Sequence, residues 1–83
     1  MSSKQKTAPV VAEPTAEELR VHAVQCRALA VFRRAQADLY DNAAREAEAG
    51  VTEETPEYER LNQAVIDAAE RLPEGLKHLA EDI

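Results

Sequence analysis

Between Thr15 and Gly50 the apolar positions recur at helical spacing with no glycine or proline among them, yet they do not keep to one side. Set about 100° apart around a helix, Val21, Val24, Ala28, Val31, Phe32, Ala35, Leu39 and Ala43 fall in one sector. Leu19, Ala23, Cys26, Ala30, Ala37 and Ala44 fall nearly opposite. Leu29 and Tyr40 lie on one flank between them, and Arg20, Arg27, Arg34 and Arg45 lie with Asp38 on the other. The first sector is the expected seat of a second helix. The second predicts a further contact, because Leu19 and Cys26 are poor residues for a wet face and small side chains let helices approach closely.

The helix carries its own start and stop. Thr15 is placed to cap it, Glu18 three residues on completes a capping box, and Glu17 and Glu18 complement the positive field of a helix start. Gly50 is the natural C-terminal stop. The run from Ala16 to about Ala49 is then about 34 residues, or roughly 50 Å. After the acidic link VTEETP, Thr55 and Pro56 open a second helix. Its Tyr58, Leu61, Val65, Ala68 and Leu72 step by 3, 4, 3 and 4 residues, a seam for packing on another helix. Pro73 and Gly75 interrupt it, and Leu76, Leu79 and Ile83 mark a short third helix. A short link between long helices implies antiparallel neighbours.

The predicted fold is therefore all-α. Residues 15–83 form an antiparallel helical hairpin whose second arm breaks near Pro73 and Gly75, and which pairs with another hairpin into a four-helix bundle. Residues 1–14 are polar and small, with Pro9 and Pro14, and are expected to be a disordered tail.

Composition favours the same picture, since alanine, the best helix former, is abundant. With 83 residues the chain is one domain at most. A chain of this size buries only about 60–65% of its unfolded surface, and such chains commonly gain stability by pairing. The net charge of −6 is uneven: residues 1–14 carry +1, residues 15–49 carry −1, and residues 50–83 carry −6. Glu53, Glu54, Glu57 and Glu59 stand within seven positions, followed by Asp67, Glu70 and Glu74. That charge repels nucleic acid and membrane surfaces and suits a basic partner.

No apolar run approaches the roughly 20 residues of a membrane span. The N-terminal APVVA is too short for the core of a signal peptide, and the lone Cys26 allows no internal disulfide. These features predict a cytoplasmic protein.

Candidate chemistry is sparse. His22 and Cys26 stand four apart on one face with Glu18, and two such pairs across a two-fold axis could hold zinc. With no second cysteine and no CxxC spacing, Cys26 is read instead as a small buried hydrophobe, and no metal or cofactor is assigned. Glu74, His78 and Glu81 share a face, but Gly75 stands three before His78, so the Glu-x-x-His motif of di-iron bundles is missing. The only serines are Ser2 and Ser3, and Gly50 and Gly75 cannot make a phosphate loop. No pair of carboxylates is set for acid–base work.

Three functions fit. The first is a small non-enzymatic interaction protein, a homodimer in the simplest case, associating through Leu19, Ala23, Cys26, Ala30 and Ala37 of helix 1. On that reading Ala30→Glu breaks the pair. The arginine row Arg20, Arg27 and Arg34, repeating every seven residues, would meet Glu57, Glu59, Asp67 and Glu70 of helix 2 and set the orientation of the pair. The second is an inhibitor that imitates nucleic acid, presenting those same four acids to a basic protein site. The third is an oligomer that sequesters a small anion such as a nucleotide on the arginine row. Direct nucleic-acid binding is disfavoured by the acidic second half and by Asp38 and Asp41, which continue the arginine flank.

Overall fold

The computed structural model describes residues 13–82. The expected tail lies outside them except for Glu13 and Pro14, which are exposed and non-helical, and so does Ile83. The described chain is all-helical and consists of α1 (Ala16–Glu48), α2 (Pro56–Glu70) and a 3-10 helix, η1 (Glu74–Asp82).

The ends of α1 are closed by short-range hydrogen bonds. The Glu18 N–H donates to Thr15 Oγ1 at 3.1 Å, and the Thr15 N–H donates to Glu18 Oε1 at 2.8 Å. Both therefore satisfy donors that helix starts leave orphaned. At the other end Gly50 takes φ +78°. The Val51 N–H then returns to the Glu46 carbonyl at 2.8 Å and the Gly50 N–H to the Ala47 carbonyl at 3.1 Å, a Schellman closure.

In α2 the cap is again a threonine, Thr55, whose Oγ1 accepts from the Tyr58 N–H at 3.0 Å, with Pro56 in the first turn. The helix stops at Glu70, and Lys77 Nζ reaches back to the Glu70 carbonyl at 3.0 Å. The third segment winds as a 3-10 helix, its start bonded from the Leu76 N–H to the Pro73 carbonyl at 2.8 Å.

Helices α1 and α2 pack on one another. Thr55, before the start of α2, meets Glu46 near the end of α1. Leu72, just past the end of α2, joins Phe32 in mid-α1. The core is small: Phe32, Val65, Ala68 and Leu72 in one cluster and Leu61 buried as well, with Ala28, Leu29, Ala35, Leu39, Leu76 and Ala80 partly buried against the cluster. Phe32 is fully buried and sets its centre, with the Arg33 guanidinium 5.6 Å from the centre of its ring.

The packed stripe of α1 differs from the one the sequence predicts. Val21, Val24 and Val31, assigned to the covered sector, remain 47%, 61% and 45% exposed, and Ala43 is exposed too. Leu29, assigned to a flank, packs into the core instead. Two causes combine. The seam turns toward Leu29, where Leu76 also lies. In addition, α2 has 15 residues against 33 in α1, about 23 Å of cover for about 50 Å of rod. The third segment packs through Leu76 and Ala80 beside Phe32 and leaves the valines open.

Candidate interaction surface

Two free apolar surfaces result on α1. The first is a strip of Val21, Val24 and Val31. At its N-terminal end it opens into a groove of about 330 Å³ lined by Glu17, Arg20, Val21, Val24, Gln25 and Pro73. Pro73, between α2 and η1, forms the far wall of this groove. Next to the strip, one helical step round, run Arg20, Arg27 and Arg34, all exposed. Arg20 pairs with Glu17 at 2.7 Å. Arg27 and Arg34 make no ion pair among the described residues, so their charge is free to meet a partner.

The second surface is the predicted small-residue face. Leu19 is 55% exposed, Cys26 and Ala37 are exposed, and Ala23 and Ala30 are half-buried. Cys26 is thus not the buried hydrophobe expected of it. Its Sγ lies 3.5 Å from His22 Nε2, beside a smaller hollow of about 140 Å³ shared with Gln25, Leu29 and Leu76. Among the described residues no three metal-ligating side chains come together.

The four acids predicted to face a partner all lie exposed on α2. Glu57 is held by Arg60 through two contacts, Arg60 Nε to Oε1 at 3.2 Å and Arg60 Nη2 to Oε2. That hydrogen bond holds the Glu57 carboxyl below its ordinary range, outweighing a small opposing desolvation, with lesser help from the Coulomb attraction of Arg60, and the Arg60 pKa is raised in return. Asp67 accepts from Gln63 Nε2 at 3.0 Å. Glu59 and Glu70 are free of ion pairs among the described residues. Between them Ile66 stands 42% exposed, the one large apolar residue of α2 left in water.

Two features escaped the sequence pattern. One is the groove against Pro73, legible only once the seam of α1 is known to turn away from the valines. The other is Asn42, 4% exposed, whose Nδ2 has no hydrogen-bond partner among the described residues. Its only signal was a polar residue at seam spacing from Leu39 and Glu46. A third concavity, about 210 Å³ at the junction of the helices, is lined by Glu46, Glu53, Glu54, Val51 and Tyr58 among others.

Among the described residues no helix is long and apolar enough to cross a membrane. No protein family, curated protein or solved structure matches the chain.

Proposed function

We propose that the chain is a small non-enzymatic helical interaction protein that self-associates through α1. What supports this is the mismatch between the two arms. A 33-residue helix is partnered by one of 15, and Leu19, Val21, Val24 and Val31 are left between 45% and 61% exposed. A helix with that much apolar surface exposed lowers its free energy by docking. The occupant is a second copy because the chain carries both halves of the contact chemistry, a basic row on α1 and an acidic face on α2. Two antiparallel hairpins joined in this way set four helices side by side, a four-helix bundle in the dimer.

Light scattering on the full chain at tens of micromolar tests the proposal, with Val24→Glu and Ala30→Glu run beside it to probe the two free sides of α1. The expected mass is that of two chains or more, falling to one chain in at least one variant. A single-chain mass for the unmodified protein overturns it.

A second reading has its own support in the exposed carboxylates of Glu57, Glu59, Asp67 and Glu70, which suit a basic protein site. Reversing Glu57, Glu59 and Asp67 to lysine abolishes binding to such a partner if this reading holds and leaves it unchanged if it does not.

A further inference from the structure

We infer that the valine strip of α1 is covered by the outer face of α2 from a second copy, rather than by a second α1. This rests on the self-association proposed above and names the surface that completes it. The strip is Val21, Val24 and Val31, exposed and ending in the Pro73 groove, with Arg20, Arg27 and Arg34 along its edge. A complement must offer an apolar centre with carboxylates beside it.

The outer face of α2 has that composition. Leu61, Val65 and Ala68 are buried on its inner side, so the rotation of the helix turns Ile66 outward. Glu70 lies one turn beyond Ile66 and Glu59 two turns before it. Both carboxylates are exposed, and neither is engaged by a cation among the described residues. Ile66 is the only large exposed apolar residue on α2, and it stands among acids; the three valines stand beside bases.

Pairing two valine strips face to face in antiparallel fails on charge. In an antiparallel pair of identical helices, the same flank of each lies on the same side of the contact. Arg20, Arg27 and Arg34 of one chain would then run beside the identical row of the other, and like charges juxtaposed across an interface are strongly unfavourable. The contact of α1 with a second chain's α2 joins opposite charges instead. It joins two different patches, so a two-fold dimer makes the contact twice, the valine strip of each chain on the α2 face of the other.

Sedimentation velocity on full-length Val24→Glu, Ile66→Lys and their equimolar mixture tests this. Both positions are exposed, so both variants keep the helical circular dichroism of the parent. Each alone is expected to weaken association by roughly tenfold or more. The mixture is expected to recover a one-to-one pair, because the Val24→Glu chain keeps an intact α2 face and the Ile66→Lys chain keeps an intact valine strip. Ala30→Glu is expected to leave association unchanged, and added salt to weaken it.

Undiminished association of Ile66→Lys, or a mixture that stays monomeric, overturns the inference while self-association stands; the first of these is the result expected of α1 pairing with α1. An unmodified chain that is monomeric throughout overturns both.

Discussion

The Thr55 hydroxyl works in two directions at once. Its Oγ1 accepts from the Tyr58 N–H at 3.0 Å to cap α2, and it donates its proton to the Glu46 carboxylate near the end of α1. One side chain thereby starts the second helix and ties that start to the first, across a separation of nine residues. With a core of one phenylalanine and four aliphatic side chains, such a tie is a sizeable part of what fixes the helices relative to one another.

Removing the hydroxyl removes both bonds. Thr55→Ala is expected to lower stability by about 1–2 kcal/mol, while Thr55→Ser retains both bonds and loses little. Glu46→Ala breaks only the link between helices and leaves the cap, so its loss is expected to be about 1 kcal/mol. Urea unfolding followed by circular dichroism measures all three. An unchanged midpoint for Thr55→Ala would show that the cap is not contributing.

Gly50 offers a cleaner test of backbone conformation. It sits at φ +78°, and a Cβ built there meets nothing within 4 Å. The penalty of Gly50→Ala is therefore the left-handed conformation alone, about 1–2 kcal/mol. Gly50→Asn is expected to lose less, because asparagine tolerates that region. Equal losses for the two variants would mean that something other than the dihedral is being disturbed.

The caps explain why the element boundaries could be read from the sequence. Thr15 with Glu18, Gly50, and Thr55 with Pro56 act through neighbours three or four residues away, so local sequence contains the whole interaction. The rotation of α1 about its own axis is a different kind of quantity. Val24 and Leu29 both stand at helical spacing from Phe32, and nothing local decides which of them turns inward. That choice depends on Leu72 and Leu76, some forty residues on, and on where α2 ends. The exposed valine strip was hidden in the sequence because it looked like core. Asn42 was hidden because a polar residue on a seam reads as a position at its edge.

Electrostatics at the start of α2 give a pH-dependent prediction. The hydrogen bond from Arg60 holds the Glu57 carboxyl below its ordinary range, and the Coulomb attraction of Arg60 adds to it. A carboxyl whose pKa is lower folded than unfolded favours the folded state above its ordinary titration range. That contribution disappears as pH falls through the lowered value. Both groups are exposed, so the effect on overall stability is small, and site-resolved NMR titration is the appropriate measurement. The Glu57 side-chain carbon is expected to titrate below the ordinary glutamate range, and Arg60→Gln to raise its midpoint toward that range. A Glu57 midpoint that ignores Arg60→Gln would rule out the pair as the cause.

Asn42 is the place where the fold runs against its own stability. It is 4% exposed in α1, and its Nδ2 has no partner among the described residues. An unmet buried donor costs about 1–3 kcal/mol, whereas an apolar group of the same shape leaves no such debt. Asn42→Leu is therefore expected to raise stability by up to that amount, or about 4–8 °C in Tm for each kcal/mol. Asn42→Ala removes the unmet donor but leaves unfilled space, so it is expected to gain less. If both variants lose stability, the amide has a partner, and Asn42 belongs to the interactions that hold the helices together. If Asn42→Leu gains stability but its NMR spectrum shows more than one set of helix signals, the amide has been fixing the register of α2 on α1, a role attested for single buried asparagines between helices. Stability and uniqueness of the fold are separate readouts, and only the pair of measurements tells a tolerated defect from a registering device.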